Sequence, residues 1–123
     1  MILNQPPAPK QPDYTLIEEQ PLAVSYQLRL SPEIFYFQGH FPVQPVLPGV
    51  VQIHWAMAKG LEHFPIKGEF SRMEAIKFQQ VIFPERAVTM HLSFDSDKNK
   101  LSFRFQDGDT PFSSGRIVYS EQE

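Results

Sequence analysis

Phe37-Gln38-Gly39-His40-Phe41-Pro42-Val43-Gln44-Pro45-Val46-Leu47-Pro48-Gly49-Val50-Val51-Gln52-Ile53-His54 is the stretch on which the reading turns. Residues 39–48 hold three prolines and one glycine, which predicts an ordered loop rather than a helix or strand. Pro48 suits the first position of a helix, where its missing N–H costs nothing. From Gly49 to about Phe64 the pattern is helical. Val50, His54, Met57 and Leu61 share one face, and Val51, Trp55 and Ala58 form a second apolar stripe. A helix apolar on most sides is expected in a core, and Gly60 and Pro65 help to end it.

The loop therefore carries His40 on a proline-locked segment that feeds directly into a helix N-terminus. Gly49 has no side chain, so a ligand can approach its backbone N–H closely. The unpaired N–H groups and the helix dipole there favour a developing negative charge. A base beside such a helix end is what proton abstraction next to a carbonyl requires.

Outward from this stretch the chain reads as strands. Leu22, Val24, Tyr26, Leu28 and Leu30 alternate with smaller or polar residues, the period of a half-buried strand. Ser31-Pro32-Glu33 breaks that strand, and a short aromatic run, 34–37, follows. Residues 70–82 read as one long strand. Val88, Met90, Leu92 and Phe94 alternate cleanly, as do Leu101, Phe103 and Phe105, with turns at 95–99 and 107–109. A last strand covers 112–120. One apolar helix with a mainly antiparallel sheet is an α+β plan, and wrapping the sheet round the helix is the economical way to bury it. Residues 1–12, with four prolines, are expected to be a flexible arm, and 13–123 a single domain.

The bulk properties narrow the function. The chain has 123 residues, 41% apolar and 20% charged, which suits one globular domain. Eleven phenylalanines suggest a core of large rings. The absence of cysteine excludes disulfides, thiolate nucleophiles and Cys-ligated zinc. A net charge of −3 argues against non-specific nucleic-acid binding. The start shows no basic stretch followed by an apolar one, so a signal peptide is not expected, and with no run of roughly 18 apolar residues a cytoplasmic location without a membrane span is expected. The four histidines show no metal-ligand spacing, and there is no nucleotide or flavin motif. Neither metal nor cofactor is expected.

Gly39-His40-Phe41-Pro42, followed by Pro45-Val46-Leu47-Pro48-Gly49-Val50, closely resembles the signature of the 3-hydroxyacyl-ACP dehydratases of fatty-acid synthesis. The likeness extends over roughly residues 30–120. Within that superfamily the short length and the run Pro48-Gly49-Val50-Val51-Gln52-Ile53-His54-Trp55-Ala56 look most like the dehydratase-like proteins of bacterial aryl polyene clusters. The resemblance implies a hotdog fold, an antiparallel sheet wrapped around one long central helix. It implies dehydration of 3-hydroxyacyl chains on acyl carrier protein (ACP) to trans-2-enoyl chains. It also implies a dimer, with a second copy or with another hotdog subunit.

Carried over by position, His40 matches the catalytic histidine that removes the C2 proton. Gly49 matches the glycine whose N–H holds the thioester oxygen. Phe41, Val46, Leu47 and Val50 are candidates to line the acyl chain. The family places Asp or Glu fourteen residues after the histidine, on the partner subunit's helix, to help the 3-hydroxyl depart. Here that position is His54, and no acidic residue lies between Glu33 and Glu62. Glu62 is eight residues on, about 12 Å along a helix axis. Loss of a matched general acid costs about 10²–10⁴ in rate. Val43, where the family commonly has Gly, is a milder departure. A slower dehydratase, one tuned to another substrate, and a binding or partner subunit without chemistry all remain open. A thioesterase of the same fold ranks last, because that chemistry needs a carboxylate near the helix end. Lys59, Lys67, Arg72 and Lys77 read as solvated surface or, less simply, as a face for an acidic carrier protein.

Overall fold

The computed structural model describes residues 8–37 and 45–121. Six strands form one antiparallel sheet: β1 (Asp13–Gln20), β2 (Ala23–Arg29), β3 (Glu69–Phe78), β4 (Val88–Asp95), β5 (Lys100–Asp107) and β6 (Thr110–Ser120), in the order β1-β2-β4-β5-β6-β3. One helix, α1 (Gly49–His63), lies between β2 and β3 in sequence and packs on one sheet face. This is the hotdog arrangement.

The sheet is built by alternation. Val88, Met90, Leu92 and Phe94 of β4, and Leu101, Phe103 and Phe105 of β5, all face the core, with polar neighbours on the outer side. Helix α1 buries Val51, Ile53, Trp55 and Ala56 against them. Gly60 allows a close approach: a β-carbon there would stand 2.6 Å from Leu101 Cδ2. Trp55 is fully buried, and its indole N–H donates to the Lys10 carbonyl (3.1 Å).

The expected loose arm, residues 1–12, lies outside the described residues as far as Pro7. Of the remainder, the Pro9 carbonyl accepts from the Phe35 N–H (2.7 Å), and Lys10 meets Trp55 as above.

Several elements differ from the sequence expectation. Strand β1 had no alternation to betray it, because it is an edge strand exposed on both sides, interrupted by a bulge between Leu16 and Glu18. It is anchored by Tyr14, whose ring meets Tyr26 edge-on at 5.5 Å, while Lys59 Nζ sits 4.3 Å from the Tyr14 ring centre. Residues 35–37 form a 3₁₀ turn. Strand β3 ends at Phe78 rather than 82, because the Gln79 and Gln80 N–H groups both turn to the Phe112 carbonyl. Helix α1 is covered on one side only. Val50, His54, Ala58 and Leu61 form an exposed stripe, and Val50 keeps 72% of its surface. The other sheet edge, β3, adds the exposed Phe70, Met73 and Phe78.

Candidate active site

The start of α1 is held by backbone contacts on its approach. The Leu47 N–H donates to the Ile82 carbonyl (2.8 Å), and the Leu47 side chain is buried. Pro48 is extended (φ −60, ψ 145) and is the N-cap, one position before the first helical residue where its sequence placed it. Proline offers no side-chain acceptor, and no side chain caps the helix. The Pro48 carbonyl takes the N–H groups of Val51 (3.1 Å) and Gln52 (3.3 Å). The N–H groups of Gly49 and Val50 have no partner among the described residues. N–H groups at the positive end of a helix dipole favour a negative oxygen.

These donors stand at a cleft of about 520 Å³. One wall is Val46, Leu47, Pro48, Gly49 and Val50, and the facing wall runs from Phe78 to Val81. The lining is mostly apolar, as an acyl chain would require. Gly49 is needed sterically, since a β-carbon there would lie 2.6 Å from the Phe78 ring.

A buried polar link reaches the cleft lining at Gln52. Gln52, 2% exposed, accepts a 2.6 Å hydrogen bond at Oε1 from Ser113 Oγ on β6. Its Nε2 donates to the Leu47 carbonyl (3.3 Å).

Val46, Leu47, Gly49 and Val50 are thus brought together around one cleft. His54 is on α1 but not in the cleft wall; it sits one turn beyond Val50 on the exposed stripe, with no hydrogen bond among the described residues. His40 and Phe41 lie outside the described residues. Phe78, Gln52 and Ser113 were not foreseen. A glutamine between Val51 and Ile53 on an apolar helix was a signal available in the sequence, whereas nothing local tied Phe78 or Ser113 to the helix start.

The other histidines are engaged elsewhere. His63 lies 3.5 Å from Glu19 and 3.3 Å from the Gln20 carbonyl, tying the helix end to β1 rather than facing open solvent. His91 Nδ1 is 2.7 Å from Ser25 Oγ on the outer sheet face. Burial, then the neighbouring Arg104, holds His91 below its ordinary pKa. Among the described residues no cluster of His, Asp or Glu could hold a metal, and no helix is long and apolar enough to cross a membrane. Of the basic residues, Lys59 is mostly buried between Tyr14, Tyr26 and Glu62, and Arg72 is paired with Glu74 at 3.0 Å. Lys59 is therefore not an open cation, whereas the Arg72 side chain stays largely exposed beside its carboxylate partner.

Comparison with known proteins agrees with this geometry. The model of a family described as ApeI-like, ApeI dehydratase, matches residues 16–116. The solved structure of the dehydratase heterocomplex ApeI:P from Xenorhabdus doucetiae superposes with a TM-score of 0.80 at 33% identity, covering 88% of this chain and 96% of that one. An uncharacterized protein from Erwinia carotovora subsp. atroseptica superposes at 0.72, also 33% identical, covering 87% and 94%. Zebrafish thioesterase superfamily member 2 shares the fold alone, at 8% identity over 86% of this chain and 79% of that one, with a TM-score of 0.65. The 3-hydroxyacyl-[acyl-carrier-protein] dehydratase FabZ of Shewanella denitrificans is 33% identical over 73 residues, 51% of this chain and 48% of that protein. FabZ of Caldanaerobacter subterraneus subsp. tengcongensis is 33% identical over 87 residues, 65% and 61%. The chain thus spans about half to three-fifths of the length of these curated relatives.

Proposed function

The chain belongs to the ApeI-like dehydratase family, and from that premise we propose that it removes water from 3-hydroxyacyl chains carried on ACP. His40 takes the proton from C2 of the thioester. The negative charge moves onto the thioester oxygen, where the Gly49 and Val50 N–H groups receive it. The C2–C3 double bond forms as the 3-hydroxyl leaves, and it leaves as water by taking a proton from His54 of a second subunit. The product is the trans-2-enoyl thioester. No cofactor takes part.

The observation that carries this reading is the start of α1, where the Gly49 and Val50 N–H groups have no partner among the described residues and both residues line a mostly apolar cleft. The dimer is supported by the apolar residues left exposed on α1, Val50 and Leu61, and on the edge strand β3, Phe70, Met73 and Phe78. The Xenorhabdus relative is a heterocomplex, so the second subunit is either another copy or a different hotdog protein.

One observation favours a second reading, a binding or partner subunit without chemistry of its own. The position that carries an acid in the dehydratases is His54, and the helix has no carboxylate before Glu62. Dehydration of a 3-hydroxyacyl-ACP by the purified chain, beside His54→Glu, separates the two. Turnover by the wild type supports the dehydratase. A silent wild type with an active His54→Glu variant would establish the partner subunit. The thioesterase reading has only a shared fold behind it.

A further inference from the structure

Gln52 is an expensive residue in its position. A primary amide taken out of water costs free energy unless its groups are bonded, whereas leucine there would bury without penalty. Both ends of this amide are used. Ser113 Oγ donates to Oε1 at 2.6 Å, and Nε2 donates to the Leu47 carbonyl at 3.3 Å. Ser113 is itself 1% exposed. The bonds therefore join β6, the first turn of α1 and the loop that enters it.

The neighbouring residue of β6 does the same for the opposite wall. The Phe112 carbonyl accepts the N–H groups of Gln79 (2.8 Å) and Gln80 (3.3 Å), and both glutamines line the cleft. The Leu47 N–H to Ile82 carbonyl bond closes the ring of contacts. Both walls of the cleft are thus hung from residues 112 and 113. Leu47 is fixed at its N–H by Ile82 and at its carbonyl by Gln52, and it immediately precedes the Pro48-Gly49 step.

We propose that the Gln52–Ser113 pair is a positioning device for the reaction, setting where the Gly49 and Val50 N–H groups point. The proposal rests on the dehydratase reading for its chemical meaning, but the positioning itself does not. Gln52 lines the cleft and Ser113 does not, and in this proposal both act through Leu47 rather than on the reacting atoms. Without the Ser113 hydroxyl, Oε1 loses its donor, the amide is free to turn, and the Leu47 carbonyl loses its anchor. A donor that has drifted from the oxyanion weakens the transition state more than the bound substrate.

The test compares Ser113→Ala, Ser113→Thr and Gln52→Met in the full chain. The expected result for Ser113→Ala and Gln52→Met is a fall in kcat of about tenfold or more with KM within about threefold of wild type. Ser113→Thr, which keeps the hydroxyl, recovers most of kcat. A second readout needs no turnover: amide hydrogen exchange at Gly49 and Val50, followed by NMR, is altered in Ser113→Ala and restored in Ser113→Thr. If either damaging variant fails to fold, the other carries the comparison. Lower melting temperature with unchanged kcat and unchanged amides would show a purely structural pair and overturn the proposal. Altered amides in a chain that never dehydrates would uphold the positioning and remove the dehydratase reading instead.

Discussion

The Phe78 ring occupies the space a β-carbon on residue 49 would need, with Cε1 and Cζ each 2.6 Å from the ideal position of that atom. The glycine of the helix start and the last residue of β3 are therefore one structural unit. The lack of a side chain at residue 49 is what lets an aromatic wall close over the helix start.

This contact separates stability from activity. Alanine is a better helix former than glycine by about 1 kcal/mol, and the Phe78 side chain that would have to give way is half-exposed. Gly49→Ala should leave the melting temperature near that of the wild type while kcat/KM falls about tenfold or more. Adding Phe78→Ala should recover part of the loss. Thermal melts and turnover of the two variants check both statements.

His54 offers a complementary case. It is exposed and makes no hydrogen bond among the described residues, so His54→Ala should change stability by less than about 0.5 kcal/mol. If His54 releases the 3-hydroxyl as proposed, its loss should cost about 100-fold in kcat. Denaturant titration beside turnover tests the pair of expectations, and an unchanged kcat would remove His54 from the mechanism.

Trp55 joins the core to the chain before β1. Trp55→Phe removes the hydrogen bond to the Lys10 carbonyl and part of a fully buried ring. A loss of about 1–3 kcal/mol is expected by urea denaturation, with faster hydrogen exchange at the Phe35 amide, which is bonded to Pro9.

The pH dependence of stability is carried partly by Glu74. Hydrogen bonds from Lys100 (2.8 Å) and Arg72 (3.0 Å) hold its carboxyl down at about 2, from an ordinary 4.5. A lowered carboxylate pKa means that the unfolded chain binds the proton first. The stabilisation is therefore complete above about pH 4.5 and is lost as the pH falls toward 2. Glu74→Gln should be less stable than the wild type at pH 6, and the gap should close on acidification. His91, held below its ordinary 6.5 by burial and Arg104, has the same sign: the neutral ring is favoured in the fold, so stability falls as the pH drops below about 6.5. His91→Gln should flatten that part of the curve in urea titrations run at several pH values.

Much of the fold was legible because its central strands are buried on one face. Val88 to Phe94 and Leu101 to Phe105 alternate in sequence as they do in space. The helix was legible from its spacing, and its start from Pro48-Gly49. What covers the helix was not: apolar residues at Val50 and Leu61 indicate burial without saying by what, and the chain's own sheet leaves them exposed. Strand β1 escaped notice because an edge strand exposed on both faces needs no alternation. The cleft residues Val46, Leu47, Gly49 and Val50 were recognisable from one contiguous motif. Phe78 and Ser113 come from strands 29 and 64 residues further along, and only the β3–β6 pairing brings them to the helix start.

Whether the chain dehydrates is decided by turnover of a 3-hydroxyacyl-ACP to the enoyl thioester, followed by mass spectrometry, with wild type and His40→Ala side by side. The wild type should remove one water per acyl chain, and His40→Ala should be slower by about 10²-fold or more. Equal turnover by the two proteins would contradict a mechanism in which His40 takes the C2 proton.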